Sequence, residues 1–386
     1  MAGAVVVRQI RPDLWTIAPA GAPLTTDPDP GVDTAVLEVR GGHLSWTVPD
    51  DPWIPAATLH DLDAAQEWLW AVYGAGVAVA ADEYTGPVEL PVRPERPELA
   101  AAVRRLGYAH WAARWWPAST VDGIAALDSE VLEQEIAELT ELCEGIVDGA
   151  DAVAATESPS PDTAPPGPAV TPGDRISARA GDYALAAGGP ARNGALSLGR
   201  GSGGWDWRLC PAGVLDASEH AVSWELFRTA GATTARIAAL AAPGAPAAVP
   251  DHLRPFARLR TPLGPVEIAL EPGADSWLGE VAVPADTVTA VEIFVPGVGP
   301  EELSGPAGNV TAPADSAPGS AEERAVRARK RIRDLARTRL RWAGAHTGPG
   351  PGTPGGRNGS GAPDPESATT APLRAETAAA ESDSDF

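Results

Sequence analysis

The sequence predicts an α+β N-terminal domain followed by an all-β antiparallel sandwich of immunoglobulin-like architecture, with a charged helix and a disordered C-terminal tail. Three observations predict this organisation. Residues 1–150 mix strand and helix patterns, residues 151–174 contain six prolines without apolar periodicity, and residues 175–299 consist of short alternating runs separated by proline and glycine. The 386 residues are enough for two or three domains.

The N-terminal domain begins with strand patterns. Residues 5–10 and 34–40 are predicted strands, and Gly41 with Gly42 provides a turn into a returning strand over 43–48. Apolar residues of that last run fall on one face, as a half-buried strand requires. The sequence therefore predicts a β-hairpin here.

Helical patterns follow in the same domain. The spacing of apolar residues predicts a helix with Thr58 as its N-cap that ends at Tyr73. Residues 77–81 are predicted to form a short buried strand. A second helix over 99–106 is predicted to end at Gly107, and the run YAHWAARWWP after it is predicted to form a strand.

Residues 128–148 have the strongest helical periodicity in the chain, with Asp128 as the N-cap and Gly149 as the terminator. The rest of this predicted helix is acidic and has no balancing base. It must therefore dock on another surface through its apolar seam, which consists of Leu132, Ile136, Leu139, Cys143 and Ile146.

Residues 175–299 are predicted to form the sandwich. Val266, Ile268 and Leu270 alternate with polar residues, and the two-sided run 288–295 suggests a central strand. A partly open barrel is the alternative architecture. Further strands are predicted over 176–187, 195–198, 205–210, 220–227 and 234–241.

A linker over 300–320 precedes a basic helix over 321–342. Nine basic and three acidic residues give this helix a charge of +6 within a chain of net charge −23. Residues 343–386 are rich in Gly, Pro, Ala, Ser and Thr, and they are predicted to form a disordered tail.

Composition and charge limit the function classes. The negative charge disfavours nucleic acid and anionic membranes as partners of the whole surface. The N-terminal run lacks the pattern of a signal peptide, no run reaches transmembrane length, and the two cysteines do not suggest a disulfide framework. The expectation is a cytoplasmic protein.

No catalytic, cofactor-binding or metal-binding residues are predicted. Gly199, Gly201 and Gly204 fit the spacing GxGxxG, but the strand-like run after them cannot supply the helix that a dinucleotide site needs, so a glycine-rich hairpin is predicted. Cys143 and Cys210 are interpreted as buried packing residues.

The leading functional hypothesis is a non-catalytic adaptor or scaffold that contacts protein partners. The basic helix could bind a partner, or could pair with the acidic helix within the chain or in a homo-oligomer. The alternatives are an enzyme with a site in the N-terminal domain, which holds eight of the 13 tryptophans, and nucleic-acid contact through the basic helix. The predicted partner-binding residues are Arg324, Arg327, Arg331, Arg337, Arg341, Trp115 and Trp116.

Overall fold

The computed structural model describes residues 3–26, 31–50, 54–147, 195–245, 249–299, 321–347 and 371–383. The chain divides into two compact units. Unit 1 combines Met1–Gly149 with Gly305–Phe386, and unit 2 is Ala150–Ser304. The basic helix and the C-terminal segment, which the sequence presents as separate from the N-terminal domain, therefore belong to the same unit as that domain.

Unit 1 contains a six-stranded antiparallel sheet in the order β3-β4-β5-β2-β1-β6. The predicted hairpin is confirmed as β3 and β4, and its turn contains Gly41 with a positive φ of 79°. Alternate residues of β3 are buried, which places one face of the hairpin in the core. The strands are β1 (Ala4–Arg11), β2 (Leu14–Ala18), β3 (Thr34–Val39), β4 (Gly42–Thr47), β5 (Ala56–Leu59) and β6 (Val88–Pro91).

The N-terminal part contains four helices, which are α1 (Leu62–Tyr73), α2 (Ala75–Asp82), α3 (Pro97–Trp115) and α4 (Ser129–Leu142). Of these, α2 and α3 pack on this sheet, α1 packs on α2 and α3, and α4 packs on α3. The N-cap of α1 is Asp61, whose carboxylate accepts a hydrogen bond from the backbone N–H of Ala64, whereas Thr58 lies in β5. Asp128 caps α4 as predicted, but the helix ends at Leu142 with Cys143 as its C-cap instead of continuing to 148.

Two predictions for this region are wrong. Residues 77–81 lie in α2, where a run of small and β-branched apolar residues resembles a strand although its buried positions fit a helix. The helix predicted to stop at Gly107 continues as α3 to Trp115, so the aromatic run is helical. Gly107 is small for a packing reason, because a Cβ there would lie 2.2 Å from Cη2 of Trp46.

The last two helices of unit 1 are α5 (Ala321–Thr347) and α6 (Arg374–Asp383). The prediction of a disordered tail is wrong for both 343–347 and 374–383. Leu373, Ala375 and Glu376 are fully buried, and α6 packs against α4 and α5. Tertiary contacts therefore override a composition that is typical of disorder.

Unit 2 contains two antiparallel sheets. One has the order β11-β10-β14 and the other the order β12-β13-β9-β8-β7. Strand β11 contacts β13, so the sheets meet through buried apolar residues such as Leu270. The strands are β7 (Leu196–Gly203), β8 (Val222–Thr229), β9 (Ala232–Leu240), β10 (Phe256–Thr261), β11 (Gly264–Ala269), β12 (Glu271–Pro272), β13 (Ser276–Ala282) and β14 (Ala290–Phe294).

Mixed helices and antiparallel sheets confirm the coarse fold prediction, but some details of unit 2 differ. Residues 205–210 contain a 3-10 turn instead of a strand, because the Asp206 carboxylate accepts a hydrogen bond from the backbone N–H of Arg208. The predicted central strand is β14, which lies at an edge of its sheet. The strand predicted over 176–187 lies outside the described residues.

The packing of Trp46 on α3 gives a stability prediction with a built-in control. Gly107→Ala should destabilise unit 1 by about 1–3 kcal/mol, because overpacking against the indole outweighs the helix propensity of alanine. Gly76→Ala lies in α2 with open space around the new Cβ, and it should be neutral or stabilising by up to about 1 kcal/mol. Thermal denaturation of both variants checks this, and equal shifts would contradict the packing argument.

Candidate protein-binding site

The C-terminal segment docks through a buried carboxylate at Glu376. Its two oxygens accept hydrogen bonds from Nε of Arg339 at 2.6 Å and Nη2 of Arg339 at 2.7 Å, and the Tyr108 hydroxyl donates to the same carboxylate at 2.6 Å. The Arg339 guanidinium also lies 4.6 Å from the centre of the Tyr108 ring. The bidentate pair and the ring contact together compensate the burial of a full negative charge.

A second buried carboxylate, Glu135 on α4, binds the start of the same segment. It receives the Nε–H of Arg105 at 3.1 Å and the backbone N–H of Arg374 at 2.7 Å. Arg105 also donates to the carbonyl oxygens of Ala371 at 2.7 Å and Pro372 at 2.9 Å. Side chains of α3 and α4 thus satisfy backbone groups of the segment that precede the first turn of α6.

We call the surface of α3, α4 and α5 that holds residues 371–383 the tail groove. Glu376 also accepts the backbone N–H of Leu373 at 2.7 Å, which is half of a capping box. The buried side chains of Ala375 and Ala379 are small, so the helix approaches its neighbours closely. At the rim, Arg374 pairs with Glu138 at 2.8 Å.

A third carboxylate holds the middle of α5. Asp122 pairs with Arg337 at 2.6 Å and with Arg333 at 3.3 Å, and its backbone carbonyl accepts from Arg337 at 3.1 Å. Arg331 pairs with Asp50 nearby. Ile332 and Ala336 are buried on the same side of the helix, so one face of α5 is fixed to unit 1 by both ion pairs and apolar contacts.

The opposite face of α5 is exposed and basic. Arg324, Arg327 and Lys330 follow one another at intervals of three, which is the spacing of a single helix face. Arg341 lies 17 residues after Arg324, about 26 Å along the helix axis, so the exposed charges are spread along α5. The exposed basic residues are Arg324, Arg327, Lys330, Arg331 and Arg341, of which Lys330 pairs with Asp334 and Arg331 with Asp50.

The predicted partner-binding residues fall into different environments. Arg324, Arg327 and Arg341 lie on the exposed face of α5, whereas Arg331 and Arg337 bind carboxylates of unit 1.

Trp115 is half-buried next to the guanidinium of Arg114. Trp116 is buried and donates its indole N–H to the carbonyl of Ala125 at 2.8 Å, so its ring is not available to a partner.

Four of the eight described tryptophans of unit 1 are buried packing residues. Trp46, Trp68 and Trp111 are buried, and the indole N–H groups of the last two bond to the backbone carbonyls of Arg40 and Val32. Trp70 is the exposed member of its pair, with 41% of its surface accessible. The rings therefore fill the core of the domain.

The glycine-rich segment and the thiols have structural explanations. Gly199 and Gly201 lie within β7, which pairs antiparallel with β8, and not at a turn; a Cβ on Gly201 would lie 2.8 Å from the Trp224 ring. Burial raises the pKa of the Cys143 thiol to about 12. The pKa of Cys210 is raised by burial and then by the nearby Asp206 carboxylate.

Three findings bear on other functional classes. In the part of the chain that the structure describes, no group of three or more His, Cys, Asp or Glu side chains is arranged to hold a metal ion. None of the helices in the described ranges is both long and apolar enough to cross a bilayer. No family model, curated protein or solved structure matches the chain.

The buried Glu376 carboxylate predicts a local loss of order on substitution. Glu376→Gln should weaken docking of 371–383 by about 2–4 kcal/mol, because the Arg339 guanidinium loses its counter-ion in a buried site. Hydrogen exchange of these backbone amides should then be at least 10-fold faster. Glu381→Gln changes an exposed carboxylate on the same helix and should leave exchange unchanged. Similar exchange in both variants would show that Glu376 does not hold the segment.

The raised thiol pKa values predict low reactivity. At pH 8 both cysteines should be neutral and buried, so iodoacetamide should alkylate neither in the folded protein. In denaturant both should react, which provides the control. Rapid alkylation of Cys143 or Cys210 under native conditions would contradict this environment; mass spectrometry identifies the site.

Proposed function

We propose that this protein is a non-catalytic adaptor that contacts an acidic protein partner through the exposed basic face of α5. The proposal rests on one observation, which is that some basic residues of α5 bind unit 1 whereas others are exposed. Arg333, Arg337 and Arg339 bind carboxylates of unit 1, while Arg324, Arg327 and Arg341 are exposed.

Anchoring makes the exposed row suitable for recognition. A long isolated helix with this charge would fray and repel itself, but α5 is held in place by Asp122 and Glu376. A partner would then lose little conformational entropy in binding a preformed row of guanidinium groups. Arginine binds carboxylates through paired hydrogen bonds, which favours an acidic protein surface.

Net charge makes nucleic acid the less favoured partner. The net charge of −23 repels a long polyanion more strongly than a compact acidic protein with fewer negative charges, so the proposal favours the protein over DNA or RNA.

The acidic face of α4 in a second copy is one such surface, with exposed Glu130, Glu133 and Glu141. Direct pairing of the acidic and basic helices in a homo-oligomer remains part of the proposal.

The second unit serves in this proposal as a rigid platform. We infer that its two facing sheets form the immunoglobulin-like sandwich predicted from the sequence, and that the protein acts in the cytoplasm. Ion pairs across neighbouring strands, such as Arg258 with Glu267 at 2.7 Å and with Glu292 at 2.9 Å, tie the three-stranded sheet together.

Charge reversal on α5 tests the proposal. Arg324→Glu, Arg327→Glu and Arg341→Glu combined should reduce capture of specific proteins from a nuclease-treated lysate of the source organism at least 10-fold, because the row loses its positive charge. Quantitative mass spectrometry of wild-type and variant captures measures this. Retention by the wild type should also fall as salt is raised.

The matched control reverses three exposed arginines elsewhere in unit 1, namely Arg8, Arg11 and Arg93. It produces the same change in net charge and should capture the same proteins as the wild type. Equal capture by both triple variants would contradict the proposal. Retention of nucleic acid that depends on α5 would replace it with the nucleic-acid hypothesis.

A further inference from the structure

We propose that the tail groove is a peptide-binding site and that residues 371–383 are its own detachable ligand. The site would take a short helix that presents a leucine and a glutamate three residues apart at its N-terminus. This proposal does not depend on the exposed face of α5, since it concerns the opposite side of that helix.

The groove binds backbone groups of the segment, as peptide-binding proteins do with their ligands. Its side chains satisfy the free backbone groups at the start of the segment: Arg105 donates to the Ala371 and Pro372 carbonyls, and Glu135 accepts the Arg374 N–H. These contacts define where the peptide begins and in which direction it runs. They would form with many sequences.

Side-chain contacts supply the specificity. Glu376 meets Arg339 and Tyr108 in a fully buried position, and Leu373 is fully buried beside it. A peptide without the carboxylate would leave a buried guanidinium without its counter-ion, and one without leucine would leave an apolar gap. Arg374 adds a rim contact to Glu138.

The segment also has the properties of a ligand. It contains a helix of ten residues, which is too short to be stable alone in water, so its order depends on the groove. Between Thr347 and Ala371 the sequence has 23 residues, whose fully extended length is at most about 75 Å, so the connection is long enough for the segment to leave the groove while it stays attached.

The test uses the full chain and avoids truncation. A protease recognition sequence replaces residues 354–360, the purified protein is cleaved, and a fluorescent peptide of residues 371–386 is added. The labelled peptide should exchange with the cleaved segment and saturate the site, as measured by fluorescence anisotropy. Uncleaved protein should bind it at least 10-fold more weakly, because the tethered segment competes at high effective concentration.

Peptide variants distinguish specific recognition from non-specific binding, and they leave the protein itself unchanged. A peptide with Glu376→Gln should bind about 10- to 100-fold more weakly, whereas one with Glu381→Gln should bind like the parent. Exchange insensitive to Glu376 would overturn the proposal. So would a cleaved protein that unfolds when the segment dissociates, or one in which the segment never exchanges, since either outcome makes the segment an integral part of the core.

Discussion

The structure of unit 1 depends on the partners of two buried carboxylates, Glu135 and Glu376, because a buried carboxylate is costly unless it is paired and hydrogen-bonded. Their partners come from different parts of the chain: Arg105 from α3, Arg339 from α5, and the backbone of Arg374 from α6. These contacts join the two parts of unit 1 that precede and follow unit 2 in the sequence. If any one of these partners is removed, a buried charge is left without compensation in a low-dielectric environment.

The same constraint separates the roles of the basic residues on α5. Arginines that face the unit neutralise Asp122 and Glu376, and the helix is held there by Ile332 as well. Those that face solvent add little to stability, because exposed ion pairs contribute at most about 1 kcal/mol. Their accumulation along the exposed side of α5 is therefore the basis of the proposed partner contact, not a major source of stability.

Periodicity predicted the parts of the fold in which local pattern and tertiary environment agree. The β3–β4 hairpin and α4 are of this kind. The prediction of a helix end at Gly107 was wrong because glycine can serve two purposes. It often terminates a helix, but here it leaves room for the Trp46 ring. For the candidate site, the sequence indicates the charged face of α5, whereas the buried role of Glu135 could not be separated from the other glutamates on α4. Only the spatial neighbours Arg105 and Arg374 distinguish it.

The failure at the C-terminus has a different cause. A segment of Ala, Glu, Thr and Ser buries too little apolar surface to fold alone, so composition correctly describes its intrinsic preference. The groove changes the outcome because it supplies the partners for Glu376 and buries Leu373. Order that is conferred by a binding surface can be withdrawn when that surface is occupied by something else. A segment that folds only in its groove is thus better understood as a bound ligand than as a permanent element of the core.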